Sequence, residues 1–275
     1  MKAPAVDYVR PGSLAEAIDL LAKSQDEARV IAGGQSLVAM MNLRVAVPRL
    51  LIDIARLPEL TAVADDTEAV TLGACVTHAA IEDARIADPS RGLMPKVASG
   101  LAYRAIRNRG TIGGSLALSD PAAEWPGVLT ALDAEAMLCG PTGRRSLKCA
   151  EFTTGIFETR LGPDEIVESI RIRKLSPEAR WGYVKLCRKS GEFASALAVV
   201  VCDRALGYWR VVLGAANGAP LVLESASRVV SEGAMGQLQE AVRDDLDRAA
   251  DRHFDEFQLN LHTVVAMRAA QQALS

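Results

Sequence analysis

The sequence reads as an α+β protein in two parts: a larger first part of alternating helices and strands, and a smaller second part in which consecutive strands are followed by helices. Three observations lead there. Two short loops, IAGGQSL (Ile31–Leu37) and RNRGTIGGSLALSD (Arg107–Asp120), carry paired glycines next to strand-like and helix-like segments. After Pro163 the texture shifts to longer β-rich runs. With 275 residues, 49% of them hydrophobic and 24% charged, the chain is long enough for two modest domains with real cores.

Each element follows from local pattern. In SLAEAIDLLAKS, Ser13 stands at a cap position with Glu16 three residues on, and Leu14, Ala17, Ile18 and Leu21 fall on one helical face. ARVIAGG is a short strand, QSLVAMMNLRVA is helical and RLLIDIA is the next strand, so the first glycine pair lies in a strand-to-helix turn. Short β-like runs around AVTLGACV come next, followed by helices around THAAIEDARI and GLMPKVASGLAY and then the second glycine loop. PAAEWPGVLTALDA reads as a helix and EAMLCG as a strand.

After Pro163 the runs EIVESIRIRKL, WGYVKLCRK, ALAVVVCDRAL and YWRVVLGAANGAP read as strands, and the chain closes with helical stretches including ASRVVSEG, AMGQLQEAVRDDL and LNLHTVVAMRAAQQAL. The boundary is expected near LSPEAR, dividing 1–175 from 176–275. No solenoid-type repeat is present.

Composition excludes several functions. A net charge of −3 with both signs interspersed offers no basic face for nucleic acid. Asp7, Arg10 and Glu16 interrupt the apolar core that a secretory signal needs, which predicts a cytoplasmic protein. The most apolar run, FASALAVVVC, is about half the length of a membrane span and reads as a buried strand. Cys75, Cys139, Cys149, Cys187 and Cys202 never form a tight group, and His78, His253 and His262 are scattered, so a metal site is not expected. The Rossmann G-x-G-x-x-G, the P-loop and the G-x-S-x-G elbow are all absent. Asp120 and Glu124 stand at helical spacing, open to an acid/base pair or to a cap with a first-turn carboxylate.

A glycine pair at a helix start leaves peptide N–H groups bare to an approaching anion, and the helix dipole favours negative charge at the same spot. Such loops also serve as plain tight turns. The segments 32–60, 107–138 and 183–201 together resemble the flavin-binding medium subunit of the molybdenum hydroxylases, the family of the carbon monoxide dehydrogenase medium subunit and the xanthine dehydrogenase flavin domain. A-G-G-[HQ]-S and T-I-G-G occur in the family's order and separation, and LGAANGAP fits its C-terminal domain.

The resemblance implies a two-subdomain FAD-binding fold of the vanillyl-alcohol oxidase type, split near residue 55, followed by a small α+β domain. It implies non-covalent FAD with its diphosphate held by Ala32, Gly33, Gly34, Gln35, Ser36 and Leu37 on one side and by Thr111, Ile112, Gly113, Gly114 and Ser115 on the other. Asp120 matches an acidic residue near the ribityl chain, and Lys185 a lysine near the flavin ring. Where the family often has G-D-[YFW], this chain has Gly191, Glu192 and Phe193.

No residue of the chain is implied to be catalytic in itself. The resemblance places molybdopterin on a large partner subunit and two [2Fe–2S] clusters on a small one, in a dimer of heterotrimers. The FAD would pass electrons from the clusters to NAD, oxygen, a quinone or another carrier. A self-contained flavin oxidase of the vanillyl-alcohol oxidase type, or a non-enzymatic nucleotide-binding module, would use the same loops.

Overall fold

The computed structural model describes residues 2–24 and 27–275. Three main sheets follow one another along the chain. The first begins with β1 (Asp7–Val9), α1 (Leu14–Lys23), β2 (Ala28–Ile31), α2 (Leu37–Asn42) and β3 (Leu50–Asp53), its strands parallel in the order β1-β3-β2. The Ser13 side chain accepts from the Glu16 amide as expected, but the Glu16 carboxylate turns back to the Gly12 amide at 2.6 Å, one residue before the cap. α1 buries Leu14, Ala17, Ile18 and Leu21 with Ala28, Ile52 and Ile54. The first glycine pair does lie between a strand and a helix. That helix is shorter than its apolar pattern suggests, because Arg44 at φ 61° ends it soon after Asn42.

The second sheet is built from distant pieces. α3 (Pro58–Thr61), β4 (Val63–Asp65) and β5 (Ala69–Gly73) lead into short helices α4 (His78–Glu82), α5 (Leu93–Ser99), α6 (Arg104–Arg107) and α7 (Ile112–Leu118). Left-handed residues at Ala84 and Ala102 stop the helical stretches expected through Ile86 and Tyr103. After α8 (Glu124–Ala131) come the hairpin of β6 (Glu135–Gly140) and β7 (Gly143–Lys148), then α9 (Cys149–Phe152), and a second hairpin of β8 (Thr153–Gly155) and β9 (Glu158–Thr159). β10 (Ile166–Arg173) then enters the centre of an antiparallel sheet ordered β4-β5-β10-β6-β7. Its pattern resembles the β-rich runs that follow, yet its partners lie about a hundred residues upstream on one side and on the β6 side near residue 135.

The third sheet holds β11 (Arg180–Leu186), β12 (Ala196–Asp203), β13 (Tyr208–Gly214) and β14 (Leu221–Val222), antiparallel and in chain order. Helices α10 (Glu224–Glu232), α11 (Leu238–Arg248) and α12 (Glu256–Leu274) close the chain. One face of this sheet, including Ala198, Val200 and Val211, packs with Val229, Val242, Ala266 and Ala270 of these helices. The other face, with Val199, Val201 and Val212, joins the core that contains Trp125, Val128 and Leu129 of α8. Coverage on both faces explains why every residue of β12 is buried and why its sequence is nearly uninterrupted apolar.

Candidate functional site

The two glycine loops, about 80 residues apart in sequence, touch. A Cβ on Gly33 would fall on the Arg109 carbonyl oxygen and within 2.8 Å of the Gly110 Cα. Only the missing side chain lets the backbones meet. Gly34 adopts φ +72°, a left-handed conformation that turns the chain from β2 toward α2. Among the described residues, the backbone N–H groups of Gly33, Gly34, Gln35, Ser36 and Leu37 donate to no protein acceptor, and the Ser36 hydroxyl makes no capping bond. The Gln35 side-chain amide folds back to the Gly33 carbonyl at 3.1 Å. The first loop thus presents a run of bare donors at a helix start.

The second loop is different. Gly113 and Gly114 do not precede a helix but form the first turn of α7, capped by Thr111. The Ile112 N–H donates to Val76 and the Gly113 N–H to Ala74 at 2.9 Å, while the Gly114 N–H donates to the Thr111 hydroxyl at 3.1 Å. Gly113 is buried, and a Cβ there would lie 2.7 Å from the Ala74 Cα. Gly114 is exposed and faces Ala32 of the first loop. So Gly113 serves packing, and what this loop turns toward the first is the Gly114 face; Ser115 stands next to it, half-buried, in the first turn of α7.

Two residues that no sequence motif marked hold the second loop in place. The His78 N–H donates to the Gly110 carbonyl at 2.9 Å, and the ring lies against Gly110 so closely that a Cβ there would be 2.9 Å from Nε2. Trp125 Nε1 donates to His78 Nδ1 at 3.0 Å, which leaves the proton of the neutral ring on Nε2. Burial pulls the His78 pKa down to about 4.

Asp120 follows α7 in a turn. Its carboxylate accepts from the Ala122 amide at 2.9 Å and does not cap α8, whose N-cap is Ala123. The turn is met from the third sheet: the Ala194 N–H donates to the Ala122 carbonyl and the Ala215 N–H to that of Pro121. Phe193, next to Ala194, is 63% exposed although it is a large aromatic. Gly191 forms an isolated bridge with Leu101.

Lys185 stands on β11 with its side chain 9% exposed, 2.5 Å from the carboxylate of Glu124, itself 5% exposed. Burial pushes the Glu124 carboxyl up, with Lys185 pulling the other way. The structure brings the two glycine loops together, Gly33 against Arg109 and Gly110 and Gly114 against Ala32, with Asp120 in the turn that follows α7, while Lys185 is engaged by Glu124, a residue that sequence pattern assigned only to an acid/base pair or a helix first turn. The pairing was not legible because it joins positions 61 apart. Four of the five cysteines are buried, and burial pushes the Cys75 and Cys149 thiols up to about 12. Among the described residues no His, Cys, Asp and Glu side chains group as a metal site, and no helix is long and apolar enough to cross a membrane.

The family model for the FAD-binding domain in molybdopterin dehydrogenases matches residues 4–174. The nicotine 6-hydroxylase medium subunit of Paenarthrobacter nicotinovorans is 37% identical over 221 residues, 79% of this chain and 77% of that protein. The carbon monoxide dehydrogenase medium chain of Hydrogenophaga pseudoflava is 35% identical over 80% of this chain and 77% of its own length. Among solved structures, carbon monoxide dehydrogenase from Hydrogenophaga pseudoflava superimposes with a TM-score of 0.89 at 31% identity, covering 100% of this chain and 99% of the other. Quinoline 2-oxidoreductase from Pseudomonas putida 86 gives 0.86 at 30% identity, over 99% and 98%.

Proposed function

Because this chain belongs to the family of FAD-binding domains of molybdopterin dehydrogenases, we propose that it is the medium, flavin-carrying subunit through which a multi-subunit molybdenum hydroxylase discharges its electrons. Its relatives are named as medium subunits or chains of nicotine 6-hydroxylase and carbon monoxide dehydrogenase, which supports a small iron–sulfur and a large molybdopterin partner here as well. A dimer of such heterotrimers in the cytoplasm is part of this reading. So is a division of the chain near residues 55 and 175, between the sheets.

The observation that carries the reading is the run of undonated amides from Gly33 to Leu37, set where two glycine loops meet. A diphosphate needs donors that do not have to be taken from other bonds, and the cleft offers them without a lysine. Gly33, Gly34, Gln35, Ser36 and Leu37 would hold it through N–H groups and the Ser36 hydroxyl. Ala32, Gly114 and Ser115 would shape the opposite wall, with the Ser115 hydroxyl available as a polar contact and the buried Thr111, Ile112 and Gly113 supporting that wall from behind. Asp120 would accept from ribityl hydroxyls, and the exposed Phe193 ring offers a flat apolar surface to a planar ring system. Flavin, when bound, supplies chemistry that takes electrons singly or in pairs. The chain binds it, orients it and leaves one edge open to a partner.

The test is titration of the purified full chain with FAD. One FAD per chain is expected, released on denaturation and reducible by dithionite but not by a heterocycle, aldehyde or carbon monoxide unless the iron–sulfur and molybdenum subunits are present. A chain that binds no flavin would refute the reading. Substrate-driven flavin reduction in metal-free chain alone would favour a self-contained flavin oxidase.

A further inference from the structure

We propose that Glu124 and Lys185 form a buried latch by which the third sheet holds one wall of the cofactor cleft, so that Lys185 is a positioning residue that acts on the cofactor only through Glu124. The inference rests on the FAD reading for the identity of what occupies the cleft, but the latch itself is a property of the chain.

Tyr183, Lys185 and Cys187 alternate along β11 and just beyond it, and so share the face turned to α8; Val184 and Leu186 point the other way into the helical core. Lys185 Nζ meets Glu124 Oε1 at 2.5 Å with both side chains nearly covered, so the ammonium's charge is already matched by a buried carboxylate. Glu124 is the first residue of α8, directly after the turn that carries Asp120. That turn has two further ties to the third sheet, Ala215 N–H to the Pro121 carbonyl at 3.0 Å and Ala194 N–H to the Ala122 carbonyl at 3.3 Å. On the other strand, the Ser195 N–H donates to the carbonyl of Leu186, next to Lys185, at 2.7 Å, which fixes the segment bearing Phe193. One ion pair therefore sits between the two segments that would flank the flavin. A buried pair of this kind tolerates loss of both charges better than loss of one, because a lone buried charge has no counter-ion.

The groups facing Glu124 are Lys185 and Tyr183 from β11 and Asp120 from its own turn, with Cys187 beyond Tyr183. The Tyr183 hydroxyl is buried without a hydrogen-bond partner, and as a neutral group it does not replace the charge that Lys185 supplies. In a Lys185→Met chain, Glu124 keeps its burial and loses its cation, and takes up a proton at a higher pH than in the natural chain. The lesion should then ease as pH falls.

The experiment is a double-mutant cycle on the full chain with Lys185→Met, Glu124→Gln and the pair together, read by FAD titration and by the midpoint potential of bound FAD. Each single variant should weaken FAD binding at least tenfold at pH 7.5, the loss in Lys185→Met should shrink on going to pH 6, and the double variant should return to within threefold of the natural chain with an unchanged potential. Lys185→Arg should bind FAD normally. The latch is refuted if the double variant shows the product of the two single losses or keeps the potential shift of Lys185→Met, since Lys185 then touches the cofactor itself. It is refuted equally if the single variants bind as the natural chain does. Thermal unfolding without FAD repeats the cycle independently: the double variant should melt above either single one, and additive falls would overturn the proposal even if FAD proved not to be the ligand.

Discussion

Gly34 closes one Gly-Gly pair and Gly113 opens the other, and the surroundings of each decide a different outcome. A side chain at Gly34 would be forced into φ +72° and would press on Ile31 and Val38, strain of roughly 1–3 kcal/mol placed in the loop with the free amides. Gly34→Val should therefore lower FAD affinity with a modest fall in Tm. Gly113→Val meets the Ala74 backbone, so it should lower Tm by several degrees before FAD is added; titration and melting on the same samples separate the two. Buried histidines give a second prediction at this scale. His78 and His262 sit near pKa 4 against an ordinary 6.5, both lowered first by burial. The unfolded chain binds these protons first, so the stability they permit is complete above about pH 6.5 and is lost as pH falls toward 4. At pH 4.5 each should cost about 2–3 kcal/mol at 1.4 kcal/mol per pH unit. His262, whose Nδ1 has no partner, can be replaced. His262→Leu should be nearly neutral at pH 7 and more stable than the natural chain at pH 4.5, as measured by melting across that range.

At the scale of elements, helix ends are where local sequence rules bear most directly. Asp255 accepts from the Gln258 amide while Gln258 reaches back to the Asp255 N–H, a complete capping box at the start of the longest helix, Glu256–Leu274. Asp255→Ala should cost about 1 kcal/mol, seen as a lower Tm and faster amide exchange in the first turn of α12. The same locality explains what could be read in advance. α1 announced itself through Ser13 and its apolar stripe, β12 through its apolar run, and the first glycine loop through the strand and helix on either side. Elements of three to six residues, such as β1 and α6, carry too few residues for a periodicity. β10 was visible as a strand, but not its seat between β5 and β6, since that is fixed by contacts with residues far upstream. At the candidate site, the two glycine loops were picked out by motif and resemblance, and their contact at Gly33 and Gly110 agrees with that, while the part of Asp120 remains a proposal. Which amides remain free, the His78–Trp125 brace and the Glu124–Lys185 pair were not legible, because each depends on segments meeting across the fold.

For the whole molecule, the chain's place in an electron-transfer assembly follows from its family, while its architecture adds a constraint on how it comes into being. Val199, Val201 and Val212 of the third sheet complete the core that holds Trp125 and Leu129, all of them fully buried. The segment bearing both glycine loops is thus finished by strands that come after it. A ribosome makes the chain from the N-terminus at about 5–20 residues per second, so the cofactor-binding half waits several seconds in the open for its missing wall. FAD should load only after residues near 214 have emerged, and a nascent chain arrested at residue 175 should remain protease-sensitive and flavin-free where one arrested well beyond β13 is protected. Comparing arrested chains by limited proteolysis, with and without added FAD, checks this directly. If it holds, a cell short of flavin would sense the shortage only in completed chains, and quality control would act on released protein rather than at the ribosome.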